Sequence, residues 1–251
     1  MKVTLINYTP NAATLLCFTK QTRLNMTPGL YSEVDAWSEE RKFNELCYMA
    51  RTIPSSWEFV DYTFLIEGVS RAFTHQFVRT RTGKYAQQTM RVLQVSSEEK
   101  PFDYVTGPTT NHLFNDKTGL RYAKVMAWLD DEYRQLIKEG ATIEDARGIL
   151  PTNIATNIIA KFDLRTLSEM ATKRGSARTQ GEYREVMAAM FAAVEVVHPW
   201  SLLFLRPKKH TVVDRLMEIA GKITALGYTS VSRNVSNELI KEAEILQREL
   251  T

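Results

Sequence analysis

The clearest pattern of hydrophobic and polar positions lies between Glu67 and Val92. Three apolar residues there recur every four positions: Val69, Phe73 and Phe77. Three basic residues recur with the same spacing: Arg71, His75 and Arg79. At about 100° per residue, the two sets lie on opposite sides of one helix. The stretch therefore predicts a helix with one buried face and one cationic face.

The helical pattern breaks near Thr80, and a polar loop containing Gly83 follows. A glycine at this point favours a turn or a close approach of two backbone segments. Gln76 lies one turn before Arg79 and shares its side of the helix. A cationic helix end that leads into a polar loop is suited to holding an anion.

The same reading along the rest of the chain predicts both strands and helices. Segments rich in alternating, aromatic or β-branched residues predict strands over residues 2–8, 59–66, 89–95 and 152–162. Three-and-four spacing predicts helices over residues 12–20, 38–51, 113–139, 143–150, 164–173 and 180–197. Residues 22–31, which contain Pro28-Gly29, predict a loop.

The pattern changes after Pro207, where two further helical segments cover residues 211–226 and 236–250. The second carries a narrow apolar stripe, which predicts either a contact between copies of the chain or packing on its own domain. We therefore expect a main domain over residues 1–205 and a C-terminal helical extension over residues 206–251.

Composition narrows the possible classes of protein. Hydrophobic residues make up 44% of the 251 residues and charged residues 24%, which is ordinary for a soluble globular protein. The net charge of +3 is too small to predict nucleic-acid binding from bulk charge. Only Cys17 and Cys47 are present, which suits a reducing cytoplasm and disfavours a disulfide framework.

Several kinds of site and segment are not predicted. The four histidines are scattered along the sequence, so no metal site is expected. No apolar run approaches the roughly 18 residues of a membrane span. Dinucleotide-binding, P-loop and nucleophile-elbow motifs are absent. Five carboxylates near arginines are expected to be their salt-bridge partners: Glu58, Glu67, Asp163, Glu169 and Glu182.

The positions of the arginines give the most specific prediction about the ligand. Beyond the opening stretch, basic residues gather at Arg147, Arg165, Lys173, Arg174 and Arg184. Guanidinium groups bind phosphate oxygens in a planar, two-point manner that lysine does not reproduce. Arginines from separate elements predict a ligand with more than one phosphate-type group. The alternative is that they are solvated surface charges.

Three blocks of these residues occur in a fixed order. The first contains Arg79-Thr80-Arg81, Lys84, Ala86-Gln87, Thr89 and Arg91. The second is Arg147 before Leu150-Pro151, and the third is Asp163-Leu164-Arg165, Arg174 and Gln180-x-Glu182-x-Arg184. Together they resemble the flavin-dependent thymidylate synthases, whose first block reads Arg-His-Arg, two residues, Ser, one residue, Asn-Glu, one residue, Ser, one residue, Arg. The resemblance covers roughly residues 1–200.

This resemblance implies a fold, a set of cofactors and a reaction. The fold would be α/β of the α+β type, with a mixed sheet flanked by helices. The protein would be a homotetramer with sites between subunits, and it would use FAD, NADPH and methylenetetrahydrofolate. The reaction would transfer one carbon to the 5-position of dUMP and yield dTMP, without an attacking cysteine and without partners such as nucleic acid or a membrane.

The resemblance also assigns roles to individual residues. It implies substrate binding by Gln76, Arg79, Gln87, Gln88, Thr89, Arg91, Arg147 and Arg174. It implies cofactor binding by Arg79, Thr80, Arg81, Gln87, Asp163, Arg165 and Glu169. It implies catalytic roles for Lys84, Thr89 and Arg174.

Four positions depart from the family's first block. Because of them, the sequence leaves both the substrate base and the product undecided. Thr80, Lys84, Ala86 and Gln87 stand where the family has histidine, serine, asparagine and glutamate. An amide donates hydrogen bonds where a carboxylate cannot, which bears on the choice between uracil and cytosine. The alternatives to thymidylate synthesis are 5-hydroxymethylation of dUMP or dCMP, and a non-catalytic nucleotide-binding relative that has lost the flavin.

Overall fold

The computed structural model describes residues 1–106, 117–174 and 179–205. Contacts between Cα atoms group Met1–Arg206 into one compact unit. The predicted helical extension over residues 206–251 lies outside the described residues, so it stays a prediction. Within the described ranges, no helix combines the length and the apolar character that crossing a membrane requires.

A four-stranded sheet forms the centre of the described part of the chain. Its strands are β1 (Lys2–Tyr8), β2 (Asp61–Ser70), β3 (Lys84–Gln87) and β4 (Ala155–Asp163). Their order across the sheet is β1-β2-β4-β3, and every pairing is antiparallel. The predicted α/β fold of the α+β type is confirmed. The sheet was predicted to be mixed, but its described strands are all antiparallel.

Nine α-helices lie in the described part of the chain. Their bounds are α1 (Ala12–Gln21), α2 (Leu30–Asp35), α3 (Glu39–Thr52), α4 (Arg71–Phe77), α5 (Lys117–Lys138), α6 (Ile143–Ala146), α7 (Leu164–Arg174), α8 (Gly181–Val197) and α9 (Leu202–Leu205). The predicted loop over residues 22–31 is too long, because its last two residues, Leu30 and Tyr31, belong to α2. The predicted helix over residues 143–150 is shorter, because α6 passes into a 3₁₀ turn at Arg147–Ile149.

One face of the sheet packs against the helices. Alternate residues of β2 and β4 are fully or almost fully buried there: Tyr62, Phe64, Ile66, Ile158, Ala160 and Phe162. Helices α7 and α8 cover them with Leu164, Leu167, Tyr183, Val186 and Met190. The period-two pattern of these strands thus results from burial on one side only.

The junction of β2 and α4 lies later than the sequence pattern predicts. Residues up to Ser70 belong to the strand, and the Ser70 hydroxyl caps the helix by accepting a hydrogen bond from the Phe73 amide at 3.0 Å. Phe73 and Phe77 form the predicted buried face of α4, whereas Val69 is fully buried in β2 and Arg79 lies beyond the end of the helix. Buried face and cap together fix the direction in which the cationic face points.

The polar loop folds back as β3 directly after Gly83. The predicted turn is confirmed by the hydrogen bond from the Gly83 amide to the Thr80 carbonyl at 3.0 Å. A side chain at Gly83 would overlap the Tyr85 hydroxyl and the Phe162 ring, so the groups that approach Gly83 closely are side chains and not a second backbone segment.

The predicted strand over residues 89–95 is wrong, because the ladder to β4 ends at Gln87. Beyond it, side chains satisfy part of the loop's backbone: Arg71 donates to the Gln88 carbonyl, and the Thr89 hydroxyl accepts from the Arg91 amide.

Candidate functional site

Two charged regions lie near the two ends of β3. We call the first the arginine cluster, which consists of Arg71, Arg91, Arg147 and the carboxylate of Glu144. We call the second the charged cavity, which has a volume of about 450 Å³. Its lining residues are Glu58, Arg81, Thr82, Lys84, Asp163, Arg165, Thr166 and Glu169.

In the arginine cluster, one carboxylate holds two guanidinium groups. Arg91 Nε lies 3.2 Å from Glu144 Oε2, and Arg147 Nη2 lies 3.5 Å from Glu144 Oε1. Arg147 Nε also donates to the Glu144 carbonyl at 3.2 Å. These groups are partly exposed, so the ion pairs add only about 0–1 kcal/mol each to stability. The predicted substrate residues Arg91 and Arg147, far apart in sequence, are therefore neighbours.

Arg71 is a member of this cluster that the sequence did not assign to the site. Its Nη2 donates to the Gln88 carbonyl at 2.5 Å, while its Nε is buried without an acceptor. Burial lowers the pKa of Arg71, and the nearby charge of Arg147 lowers it further. The cluster therefore holds three guanidinium groups against one carboxylate.

The loop that follows β3 carries two more predicted substrate residues. The Gln88 amide donates to the Asn157 carbonyl at 3.1 Å, and Asn157 Nδ2 donates to Gln88 Oε1 at 3.4 Å. The Thr89 hydroxyl accepts from the Arg91 amide at 3.1 Å. The two bonds to Asn157 hold Gln88 beside the start of β4, and the bond between Thr89 and Arg91 shapes the loop that follows.

Gln87, the glutamine in the position of the family's glutamate, lies at the end of β3. Its Nε2 donates to the Thr74 hydroxyl at 2.9 Å, and that hydroxyl donates to the Arg71 carbonyl at 3.1 Å. Thr74 is fully buried, so the orientation of the Gln87 amide is fixed from inside α4. With its NH₂ group turned toward Thr74, the amide oxygen remains as the group that can accept from a ligand.

The charged cavity gathers most of the predicted cofactor residues. Arg165 Nη1 pairs with Glu58 Oε1 at 2.5 Å, and Arg165 Nε lies 3.4 Å from Glu169 Oε1. The hydrogen bond to Glu58 is the main reason that the pKa of Arg165 is raised. The salt-bridge predictions for Glu58 and Glu169 are confirmed.

Two further lining residues of the cavity have local backbone partners. Asp163 is not a salt-bridge partner there: its Oδ1 caps α7 by accepting from the Thr166 amide at 2.6 Å. Lys84 is exposed, and its Nζ donates to the Thr82 carbonyl at 3.2 Å. The cavity thus balances three cations against three carboxylates.

The other predicted residues do not join either region. Gln76 and Arg79 are exposed at the end of α4, and their side chains make no hydrogen bond or ion pair within the described part of the chain. The Arg174 guanidinium lies 5.2 Å from the centre of the Tyr183 ring. Thr80 contributes its carbonyl, which accepts from the Tyr85 hydroxyl at 2.8 Å.

Tyr183 is a buried polar residue that the sequence pattern did not single out. Burial raises the pKa of its hydroxyl, although Thr80 and Arg174 lie close enough to lower it in part. In the described ranges that hydroxyl makes no hydrogen bond of ordinary geometry. The sequence did contain one indication that Tyr183 belongs to the site, because it lies between Glu182 and Arg184 in the third block.

Glu182 differs from its predicted role. This buried carboxylate accepts from the Ser70 amide at 2.7 Å and from the Ser70 hydroxyl at 2.5 Å, with no cation beside it among the described residues. Because Ser70 also caps α4, Glu182 ties the start of α8 to the junction that orients Arg71.

A larger polar cavity of about 780 Å³ lies beside the start of β4. Gln88 is the one predicted site residue in its lining. The hydroxyls of Ser96 and Thr156, which also line it, are buried without hydrogen-bond partners. The sequence pattern gave no indication of this cavity, because its walls come from an irregular segment.

Comparisons with known proteins agree on one family. A family model described as thymidylate synthase complementing protein matches residues 4–200. A flavin-dependent thymidylate synthase from Clostridium tetani is 30% identical over 215 residues, which cover 79% of this chain and 84% of that protein. One from Pyrococcus abyssi is 30% identical over 203 residues, which cover 77% of this chain and 79% of that protein.

A solved structure shares the fold. It is a crystal structure of a flavin-dependent thymidylate synthase from Helicobacter pylori complexed with FAD and dUMP. It superposes with a TM-score of 0.61 at 18% identity and covers 81% of this chain and 98% of its own. The match of the family model and the similarity to the Clostridium tetani protein both extend over most of the chain. The chain therefore belongs to the flavin-dependent thymidylate synthase family.

Proposed function

We propose that the protein transfers a one-carbon unit from methylenetetrahydrofolate to the 5-position of dUMP and yields dTMP, using FAD and NADPH. Membership of the family supports this reaction. The single structural observation that carries it is the arginine cluster, whose three guanidinium groups face one carboxylate beside the Gln88–Arg91 loop. Such an excess of guanidinium suits the phosphate of a nucleotide.

The residues of the cluster would bind and orient the nucleotide. Arg91 and Arg147 would hold the phosphate, since both offer planar donors in one place. Gln87 would present its amide oxygen to the base, because Thr74 fixes the NH₂ group on the other side. An acceptor at this point favours the N3–H of uracil over the bare N3 of cytosine. We therefore propose dUMP rather than dCMP as the substrate.

The charged cavity fits part of FAD. Its three cations, Arg81, Lys84 and Arg165, can bind diphosphate oxygens, and the hydroxyls of Thr82 and Thr166 can bind polar groups of the cofactor. When bound, FAD supplies the hydride chemistry of the reaction. The carboxylates of Glu58 and Glu169 keep the Arg165 fork in position for it.

We further propose a homotetramer in which neighbouring subunits complete each site. Gln76, Arg79 and Arg174 are the predicted substrate residues that lie outside β3, the arginine cluster and its loop. The exposure of Gln76 and Arg79 at the end of α4 supports a role toward a nucleotide held by another copy.

The first test is whether purified protein carries flavin. The proposed function predicts a yellow protein with a flavin absorption band, or one that takes up added FAD. A colourless protein that takes up no FAD would leave only the reading of a non-catalytic nucleotide-binding relative.

A second test is growth of a thymidine auxotroph on medium without thymidine. The wild-type chain should restore growth, and Arg147→Gln should not. Flavin binding without rescue would favour 5-hydroxymethylation over thymidylate synthesis.

A further inference from the structure

Arg71 is an unusual arginine within the arginine cluster. Each of the other two cluster arginines has a carboxylate partner, whereas Arg71 has none in the described part of the chain. Of its donors, Nη2 is used by the Gln88 carbonyl, and Nε has no acceptor although it is shielded from water. A buried donor without a partner is unfavourable unless something else satisfies it or compensates its charge.

The charge that acts on Arg71 is that of another arginine. Arg147 lies close enough to lower the pKa of Arg71 by repulsion, in addition to the effect of burial. Arg165, in the charged cavity, shows the opposite behaviour, because Glu58 and Glu169 raise its pKa. Two guanidinium groups that repel each other and share no carboxylate form a place for an external anion.

We propose that Arg71 is a further phosphate ligand, which binds the phosphate monoester of the nucleotide together with Arg147. The identity of the nucleotide rests on the proposed function, whereas the anion site itself rests on the geometry of the cluster. Arg71 also holds the Gln88 carbonyl, so phosphate binding and the position of the Gln88–Arg91 loop are coupled through one side chain.

Glu144 acts as an internal substitute for that phosphate. Its carboxylate bridges Arg91 and Arg147 from the exposed side of the cluster. A phosphate offers three oxygens and about −1.5 to −2 charges, whereas a carboxylate offers two oxygens and one charge. The phosphate therefore displaces Glu144 from the two guanidinium groups and extends the contact to Arg71.

The test is equilibrium binding of dUMP, deoxyuridine and inorganic phosphate to the full chain by calorimetry. Arg71→Gln should weaken dUMP binding about tenfold or more, because a hydrogen bond to a charged group contributes about 1.5–3 kcal/mol. Deoxyuridine binding should change by less than about twofold. Arg51→Gln, at an exposed position on α3, is the control and should leave both affinities unchanged.

Two further variants keep the test decisive if Arg71→Gln folds poorly. Arg71→Lys keeps the charge and should retain part of the phosphate affinity, though less than the wild type. Glu144→Gln removes the internal competitor and should tighten the binding of inorganic phosphate. Unchanged dUMP binding in Arg71→Gln, an equal loss for dUMP and deoxyuridine, or weaker phosphate binding in Glu144→Gln would each overturn the inference.

The same measurements separate this inference from the proposed function. If the wild type binds inorganic phosphate in an Arg71-dependent way but does not bind dUMP, the function fails and the anion site stands. If the wild type binds dUMP and Arg71→Gln binds it equally well, the inference fails and the function stands. If the wild type binds neither probe, both fail.

Discussion

The arginine cluster and the charged cavity contain the same kinds of side chain but differ in charge balance. The cavity sets Arg81, Lys84 and Arg165 against three carboxylates. The cluster sets three arginines against Glu144 alone. A cavity with balanced charges suits a large ligand that carries both polar and charged groups. A cluster with excess positive charge favours the binding of an anion. We therefore propose that the nucleotide phosphate binds in the arginine cluster and that part of the cofactor binds in the charged cavity.

The largest effect is expected from Phe77, which lies in the core beneath α4. Its ring contacts Phe73, Tyr85, Phe162 and Tyr183 with centroid distances of 4.8–5.8 Å. Phe77→Ala should lower the free energy of unfolding by about 3–5 kcal/mol. Val78→Ala, at a side chain that is 37% exposed, is the control and should cost within about 0.5 kcal/mol. Denaturant unfolding measures both, and equal losses would contradict the packing described.

Arginine substitutions separate the two regions directly. Arg147→Gln should weaken dUMP binding by about tenfold to a hundredfold, since it removes charged hydrogen bonds to phosphate. Arg165→Gln should weaken FAD retention and change dUMP binding by less than about threefold. Calorimetry and flavin absorbance measure the two affinities. If both variants reduced dUMP binding equally, the two regions would not have separate roles.

A substitution at Gly83 tests the packing of the turn that leads into β3. Gly83→Ala forces a methyl group into the Tyr85 and Phe162 rings and should cost about 1–3 kcal/mol of stability. Gly148→Ala is the matched control, because a methyl group there meets no atom within 4 Å. Thermal unfolding compares the two. A Gly83→Ala protein as stable as the control would show that β3 does not depend on this contact.

The smallest expected effect concerns salt. Raising ionic strength from about 0.1 M to about 1 M shortens the Debye length from about 10 Å to about 3 Å. Binding of dUMP to the uncompensated cluster should weaken several-fold, and FAD binding to the balanced cavity should weaken less. Titrations at both salt concentrations measure this. A stronger salt effect on FAD would reverse the assignment of the two regions.

The sequence predicted the parts of this architecture that depend on neighbouring residues. The stripe of Val69, Phe73 and Phe77 is local and was correctly expected to be buried. Arg165 and Glu169 pair along one turn of α7, so their contact followed from their spacing. Gly83 signalled a turn, although its contacts were unknown.

Longer-range contacts were not predictable in the same way. The approach of Arg71 to Arg147 joins residues 76 positions apart, and no local pattern encodes it. The segment after Gln87 looked like a strand because of Val92, Leu93 and Val95. Instead, hydrogen bonds from Arg71 to the Gln88 carbonyl and from the Arg91 amide to Thr89 satisfy the backbone there. The sequence predicts an arginine partner for Glu182, but the Ser70 amide and hydroxyl donate to its carboxylate instead.

The central claim is that this chain completes one-carbon transfer to dUMP. The direct measurement is mass analysis of the nucleotide formed when purified protein, FAD, NADPH and labelled methylenetetrahydrofolate are incubated with dUMP, beside a parallel reaction with dCMP. The account predicts labelled dTMP from dUMP, with NADPH oxidised, and no product from dCMP. A 5-hydroxymethyl product, a product from dCMP, or no labelled nucleotide from flavin-loaded protein would contradict it.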